Sequence, residues 1–250
     1  MQLSKKTIQD IFKKYWYKFT SQKNYTKFKY TEGIQKEVKI FQNNFESYIN
    51  KIQEKINTKK ELSFLHSGHT GDIINVIPVI KALSKTHKCN LYIGVNKPMD
   101  RIGNVYVNEK IFNMLYPLLK SQTFFNKIEV FKKQNIDINF DIIRELPINL
   151  LFDNLRYSFQ IAGVQPDILE PYLDIKEHDK MINNIVIQRS FKYRNQFINY
   201  NFLEKYDNIF FIGTKDEYDD LKKDVKNLQF YDCKDFLEMA MIIKSSRLII

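Results

Sequence analysis

Three short stretches of this chain combine residue types that could do chemistry. The first runs His66, Ser67, Gly68, His69, Thr70, Gly71, Asp72 and leads into Ile73, Ile74, Asn75, Val76, Ile77 and Pro78. Two glycines here allow backbone angles that other residues resist and let a ligand approach the main chain. A helix opening at Asp72 would offer unpaired N–H groups. Asp72 reads in two ways. It can cap the helix, or it can stand at a cleft as a general base toward a hydroxyl. His66 and His69 could assist, although lone histidines are more often structural. The spacing is not GxGxxG, and no GK[ST] follows, so the dinucleotide and P-loop fingerprints are both absent.

The second stretch is Arg189, Ser190, Phe191, Lys192, Tyr193, Arg194 and Asn195, directly after the apolar run Ile185, Val186, Ile187. Guanidinium groups grip phosphate oxygens in pairs, so this loop would suit a diphosphate. A solvated basic turn is the bland alternative. The third is Gly213, Thr214, Lys215, Asp216, Glu217 and Tyr218 after the apolar run 209–212. Glu217 could accept hydrogen bonds from ribose or sugar hydroxyls, or simply favour a helix N-terminus.

These stretches need elements to hold them. From Glu61 onward, short apolar runs alternate with helical patterns. Strands are expected at 62–66, 89–95, 128–131, 138–141, 185–188, 209–213, 228–231 and 247–250. Helices are expected at 72–86, 108–120, 149–162, 215–225 and 235–245. Such alternation implies parallel βαβ units with helices on both sheet faces. Loop signals gather at 163–180, with Pro166 and Pro171 among them, and predict a domain boundary there. The expected organisation is a basic helical extension at 1–60, a Rossmann-like domain at 61–175 and a partial Rossmann-like domain at 176–250.

The net charge of +10 is unevenly spread. Residues 1–60 hold 14 Lys, no Arg and 5 acidic residues, a net +9; the remaining 190 residues carry +1. A nucleic-acid groove through the main body is therefore not expected. In the extension, Ile8, Ile11, Phe12, Tyr15, Trp16 and Phe19 share one helical face, with lysines mostly elsewhere. That face could dock on the protein's own core or lie on an anionic membrane surface. A second helix with Ile34, Val38, Phe41, Phe45, Tyr48, Ile52 and Ile56 at heptad-like steps is expected to pack on the body or on a partner helix. Cys89 and Cys233 show no zinc spacing, and a reducing, cytoplasmic setting is the better reading. No stretch approaches the length of a membrane span, and no secretory signal is expected.

In order and separation, these motifs resemble the heptosyltransferase-like glycosyltransferases of family 9, and more closely an uncharacterised branch of that group. Gly71, Asp72 and Pro78 match its opening. Arg189, Ser190, Tyr193, Arg194 and Asn195 match an Arg-Ser-x-x-Tyr-Arg-Asn loop, and Gly213, Glu217 and Tyr218 a Gly-x-x-x-Glu-Tyr segment. The stretches 235–240 and 248–250 resemble the helix and strand that follow.

The resemblance implies a two-domain GT-B fold. It also implies inverting transfer of a sugar from a nucleotide-sugar donor to a glycan or glycolipid acceptor, with no obligatory metal or other cofactor. Asp72 would be the base, with His66, Gly68, His69 and Gly71 on the acceptor side. Arg189, Ser190, Arg194, Asn195 and Glu217 would hold the donor. The location would be cytoplasmic, peripheral at the inner membrane face. The family continues past the strand ending here at Ile250 into a Gly-Asn/Asp-x-Ser-type loop, so the expectation is of a truncated chain, inactive as it stands. A non-catalytic module binding a nucleotide, glycan or protein partner on the same scaffold is the alternative.

Overall fold

The structure is a computed structural model that describes residues 8–40, 45–99, 104–145, 153–179, 183–195 and 197–250. Its chain order begins with three helices, α1 (Ile8–Thr20), α2 (Gln22–Ile40) and α3 (Glu46–Thr58). A first α/β unit follows: β1 (Glu61–His66), α4 (Thr70–Asn75), α5 (Ile77–Ser84), β2 (Lys88–Ile93), α6 (Glu109–Lys120), β3 (Phe125–Val130), β4 (Ile138–Asn139) and α7 (Asn154–Ala162). The second comprises β5 (Ile185–Ile187), β6 (Ile209–Ile212), α8 (Lys215–Lys222), β7 (Gln229–Tyr231), α9 (Phe236–Ser245) and β8 (Leu248–Ile249).

The strands form two four-stranded sheets, ordered β3-β2-β1-β4 and β7-β6-β5-β8, and every pairing is parallel. The fold class is therefore α/β, Rossmann-like in each unit. In both sheets the chain enters at an inner strand, builds outward through two neighbours, then crosses back to the other side. This reversal opens a crevice at the carboxyl ends of the two strands it separates, where open α/β sheets take ligands. The crevices lie at β1/β4 and at β5/β8.

The burial of each strand follows from its place. β2 is central and covered on both faces, so Cys89 through Ile93 are all buried. β1 alternates, with Leu62, Phe64 and His66 buried. Asn90 is a buried polar residue inside this sheet. Its amide donates to Glu61 Oε1 on β1 at 2.6 Å and its Oδ1 accepts from Asn126 on β3 at 2.8 Å. The three side chains pin the register of three strands.

The expected helix at 72–86 is divided in the structure. It begins earlier, at Thr70, and breaks at Val76 before α5 restarts with Pro78 in its first turn. Proline has no N–H to donate to the preceding turn, so an uninterrupted helix cannot pass through it unstrained. The expected strand at 138–141 is also shorter. β4 ends at Asn139, and residues Phe140–Glu145 form a 3-10 helix. The expected helix at 149–162 is seen from Asn154, capped by Asp153 and closed by Gly163 in the left-handed conformation; residues 149–152 lie outside the described residues. Both cysteines are free thiols.

The three N-terminal helices separate into two groups. In α3, Ile52 is fully buried, and Phe45, Tyr48 and Ile56 pack against the first core. The C-terminal part of the expected second helix thus packs on the body, but Ile34 and Val38 fall in the separate helix α2 and join neither core, and Phe41 lies outside the described residues. α3 also guards the sheet edge. Tyr48 Oη donates to the carbonyl of Asn139 at 3.0 Å and accepts from its N–H at 3.2 Å, satisfying both backbone groups of that residue on edge strand β4. Gln53 Nε2 donates to the Ala162 carbonyl at 2.7 Å, and Lys59 pairs with the buried Asp137 at 2.5 Å. α3 is therefore part of the first unit. Among the described residues, the apolar side chains of α1 and α2 join neither unit's core. In the second unit, Phe236, Leu237 and Ala240 of α9 pack against the first core and so tie the units together.

Candidate functional site

The strongest site lies at the β1/β4 crevice. Parallel pairing of β1 with β2 and β4 brings three carboxyl-end segments together: residues 66–72, the described residues 94–99 and 104–106, and the 3-10 helix after β4. A small pocket there is lined by His66, Asp72, Val76, Phe140, Ile143, Ser158 and Ile161.

His66 is the last residue of β1 and is almost wholly buried. Its ring stacks near Phe140, with centroids 6.3 Å apart. Nδ1 accepts the Gly68 N–H at 2.9 Å, so the neutral ring carries its proton on Nε2. Burial drives its pKa down to about 4, against an opposing pull from the carboxylates of Asp141 and Asp72. At neutral pH His66 is thus an uncharged hydrogen-bond donor.

Gly68 is required by space. An added Cβ would fall 2.6 Å from the His66 ring and 2.7 Å from Asp72 Oδ2. Neither Gly68 nor Gly71 takes a positive φ, so the expected conformational need for glycine is not what selects them. Gly71 faces open space and has no steric constraint. Asp72 occupies the third position of α4, and its Oδ2 accepts the His69 N–H at 2.9 Å. The capping reading of Asp72 is therefore realised, in a residue that also lines the pocket. His69 is exposed and meets Tyr106 edge-on at 5.1 Å.

The centre of this cluster is Asp141. Its Oδ1 accepts the Ser67 N–H at 2.8 Å and lies 2.7 Å from Arg144 Nη1. Its Oδ2 accepts from Ser67 Oγ and, at 2.9 Å, from Lys97 Nζ. Burial by itself would raise its pKa, but the bonds from Ser67 and Lys97 and the charge of Arg144 hold it well below the carboxylate range. Arg144 in turn lies over the Tyr106 ring at 4.4 Å. Gly94 packs so tightly on Ser67 that a Cβ would stand 2.4 Å from the serine's own. Asp141, Lys97, Arg144, Tyr106 and Gly94 were not among the residues expected from sequence. They come from separate segments, and nothing in their spacing joined them.

The second predicted cluster also assembles, at the carboxyl end of β5. Arg189 Nη2 and Arg194 Nη1 both donate to Asp220 Oδ2, at 2.7 and 2.5 Å. Partial burial acts to raise the Asp220 pKa, and the two guanidinium groups outweigh it and lower the value. Ser190 anchors the turn, its carbonyl accepting from the Tyr193 and Arg194 N–H groups. Asn195 Oδ1 accepts from the Phe197 N–H at 2.9 Å. Glu217 Oε1 accepts the Phe191 N–H at 3.0 Å and Oε2 that of Thr214 at 3.3 Å, so it joins this loop to the start of α8. Gly213, at φ 150°, holds a conformation that a side chain would strain. The Asp220 clasp on both arginines was not foreseen.

Among the described residues, no group of three or more His, Cys, Asp or Glu side chains is arranged to hold a metal ion. No helix among them is long and apolar enough to cross a membrane. Comparison with known proteins returns no matching family model, no matching curated protein and no matching solved structure.

Proposed function

We propose that the protein is an inverting glycosyltransferase of the two-domain GT-B type, which moves a sugar from a nucleotide-sugar donor to a hydroxyl of a glycan or lipid-linked acceptor. The observation that carries this reading is the pairing of two like sheets, each with a polar cluster at the carboxyl end of its first strand. One cluster is built around a carboxylate and a neutral histidine, the other around paired arginines.

In this reaction Asp72 removes the proton of the acceptor hydroxyl. The hydroxyl oxygen attacks the anomeric carbon from the face opposite the leaving group, and the bond to the donor diphosphate breaks with its electrons going to phosphate. His66 donates from Nε2 to an acceptor oxygen. Asp141 is unsuited to be the base, because a carboxylate held so acidic is too weak to take a proton near neutrality. It instead fixes Ser67 and the cations around it. Arg189 and Arg194, pre-oriented by Asp220, turn to phosphate oxygens and stabilise the departing diphosphate together with Ser190.

The Asp220 clasp also favours a second reading, a binding module whose arginines serve structure alone. One experiment separates the two. The protein expressed from its complete reading frame is assayed for turnover of a panel of nucleotide sugars, beside the Asp72→Asn variant. Asparagine keeps an oxygen able to accept the His69 N–H but cannot act as a base. Turnover should fall about 100-fold or more, with unfolding stability changed by less than about 1 kcal/mol. Full activity in Asp72→Asn removes the base assignment; nucleotide-sugar binding by calorimetry with no turnover leaves the binding module.

A further inference from the structure

We infer that α1 is a docking surface for an anionic phospholipid bilayer, lying in the headgroup plane with its aromatic face inward. At about 100° per residue, Ile8, Ile11, Phe12, Tyr15, Trp16 and Phe19 occupy an arc of about 140°. Among those described, Phe12 is 70% exposed, Trp16 58% and Phe19 80%, and the rings of Phe12 and Trp16 stack with centroids 6.4 Å apart. None of the described side chains of this face packs against either core. On the other side of the helix, Tyr17 meets Phe28 of α2 edge-on at 6.2 Å, so α2 packs behind the face and leaves it open.

Charge selects the occupant. Lys13 borders the apolar arc on one flank and Lys14 and Lys18 on the other, so their stems can run along the bilayer surface toward lipid phosphates. Residues 8–40 carry 8 Lys against 3 acidic residues, while the chain beyond residue 60 is close to neutral. A second copy would bring the same excess of positive charge against this one, and like charges oppose that pairing. A basic, Trp-, Tyr- and Phe-bearing face with no span-length helix among the described residues fits a surface that is anionic outside and apolar just beneath.

The chain carries its own probe, because Trp16 is its one tryptophan. The full chain is titrated with phosphatidylcholine vesicles and with vesicles in which about one-third of the lipid is phosphatidylglycerol. Trp16 emission should shift to the blue on the anionic vesicles, with partitioning at least about tenfold tighter than on neutral ones. Most of that preference should disappear above roughly 0.5 M salt. Phe12→Glu with Phe19→Glu should abolish the shift and leave the thermal midpoint of the folded body unchanged, since neither ring touches its core. Unshifted emission on anionic vesicles overturns the inference. So does equal partitioning onto both lipids, or a shift that grows with protein concentration when no lipid is present.

Discussion

The buried histidine makes acid the informative perturbation of this fold. His66 is 1% exposed and titrates near 4 when folded, against an ordinary value of 6.5. Above pH 6.5 the ring is neutral in both states and contributes no pH dependence. As pH falls from 6.5 toward 4, the unfolded chain takes up a proton that the folded chain refuses, so stability drops across that window and levels off below it. Each pH unit is worth about 1.4 kcal/mol, and the whole interval amounts to roughly 3 kcal/mol. The structural cause is double: desolvation of the cation, and an Nδ1 already facing the Gly68 N–H, where a second proton would set donor against donor. The assay is urea unfolding at a series of pH values for the wild type and for His66→Asn, whose amide oxygen can still accept from Gly68. Subtracting the two removes the titration of the other groups. The stability difference should tilt against the wild type by roughly 3 kcal/mol between pH 7 and pH 4. A flat difference, or a His66 ring resonance that titrates near 6.5, refutes the reasoning.

Two further outcomes follow from the same corner. Asp141→Asn leaves one oxygen where two accept, and sets an amide against Lys97 or against the Ser67 N–H. With Lys97 partly solvated the expected loss is about 2–4 kcal/mol by chemical denaturation, and a loss below about 0.5 kcal/mol would show the cluster to be incidental. Gly68→Ala drives a methyl into the His66 ring and the Asp72 carboxylate, for an expected destabilisation of about 1–3 kcal/mol; Gly71→Ala, in open space, should show none of this and serves as the control measured beside it.

Much of the architecture was legible because its signals are local. The eight strands among the described residues were expected near where they lie, since most are short apolar runs bounded by polar or glycine-containing loops; β3, with Asn126, Lys127 and Glu129 in it, starts three residues before its expected place. The 66–72 and 189–195 stretches stood out because strand-to-loop transitions dense in donors are rare within so short a span. What escaped was whatever depends on segments meeting. Asp141 looked like the last residue of a strand, yet one residue past β4 the chain turns into a 3-10 helix and swings its carboxylate toward Ser67, 74 positions earlier. Gly94 looked like a strand interior, and its closeness to Ser67 exists only once β1 and β2 are paired. Asp220 is 31 residues from Arg189, with nothing in the spacing to join them. The apolar stripe of α1 was equally consistent with burial and exposure, because both produce the same periodicity.

The hold of α3 on β4 has a consequence for the order in which the chain can assemble. Tyr48 reaches Asn139 across 91 positions of sequence. On a ribosome, α3 emerges well before the strand edge it closes, and its apolar stripe of Tyr48, Ile52 and Ile56 has to wait while β1, β2 and β3 are made. The first unit therefore completes late, when residue 139 and the helix after it have cleared the exit tunnel. A nascent chain arrested short of that point keeps both a sticky helix and an open sheet edge, which makes the first half of this protein the stage at which a chaperone would matter most.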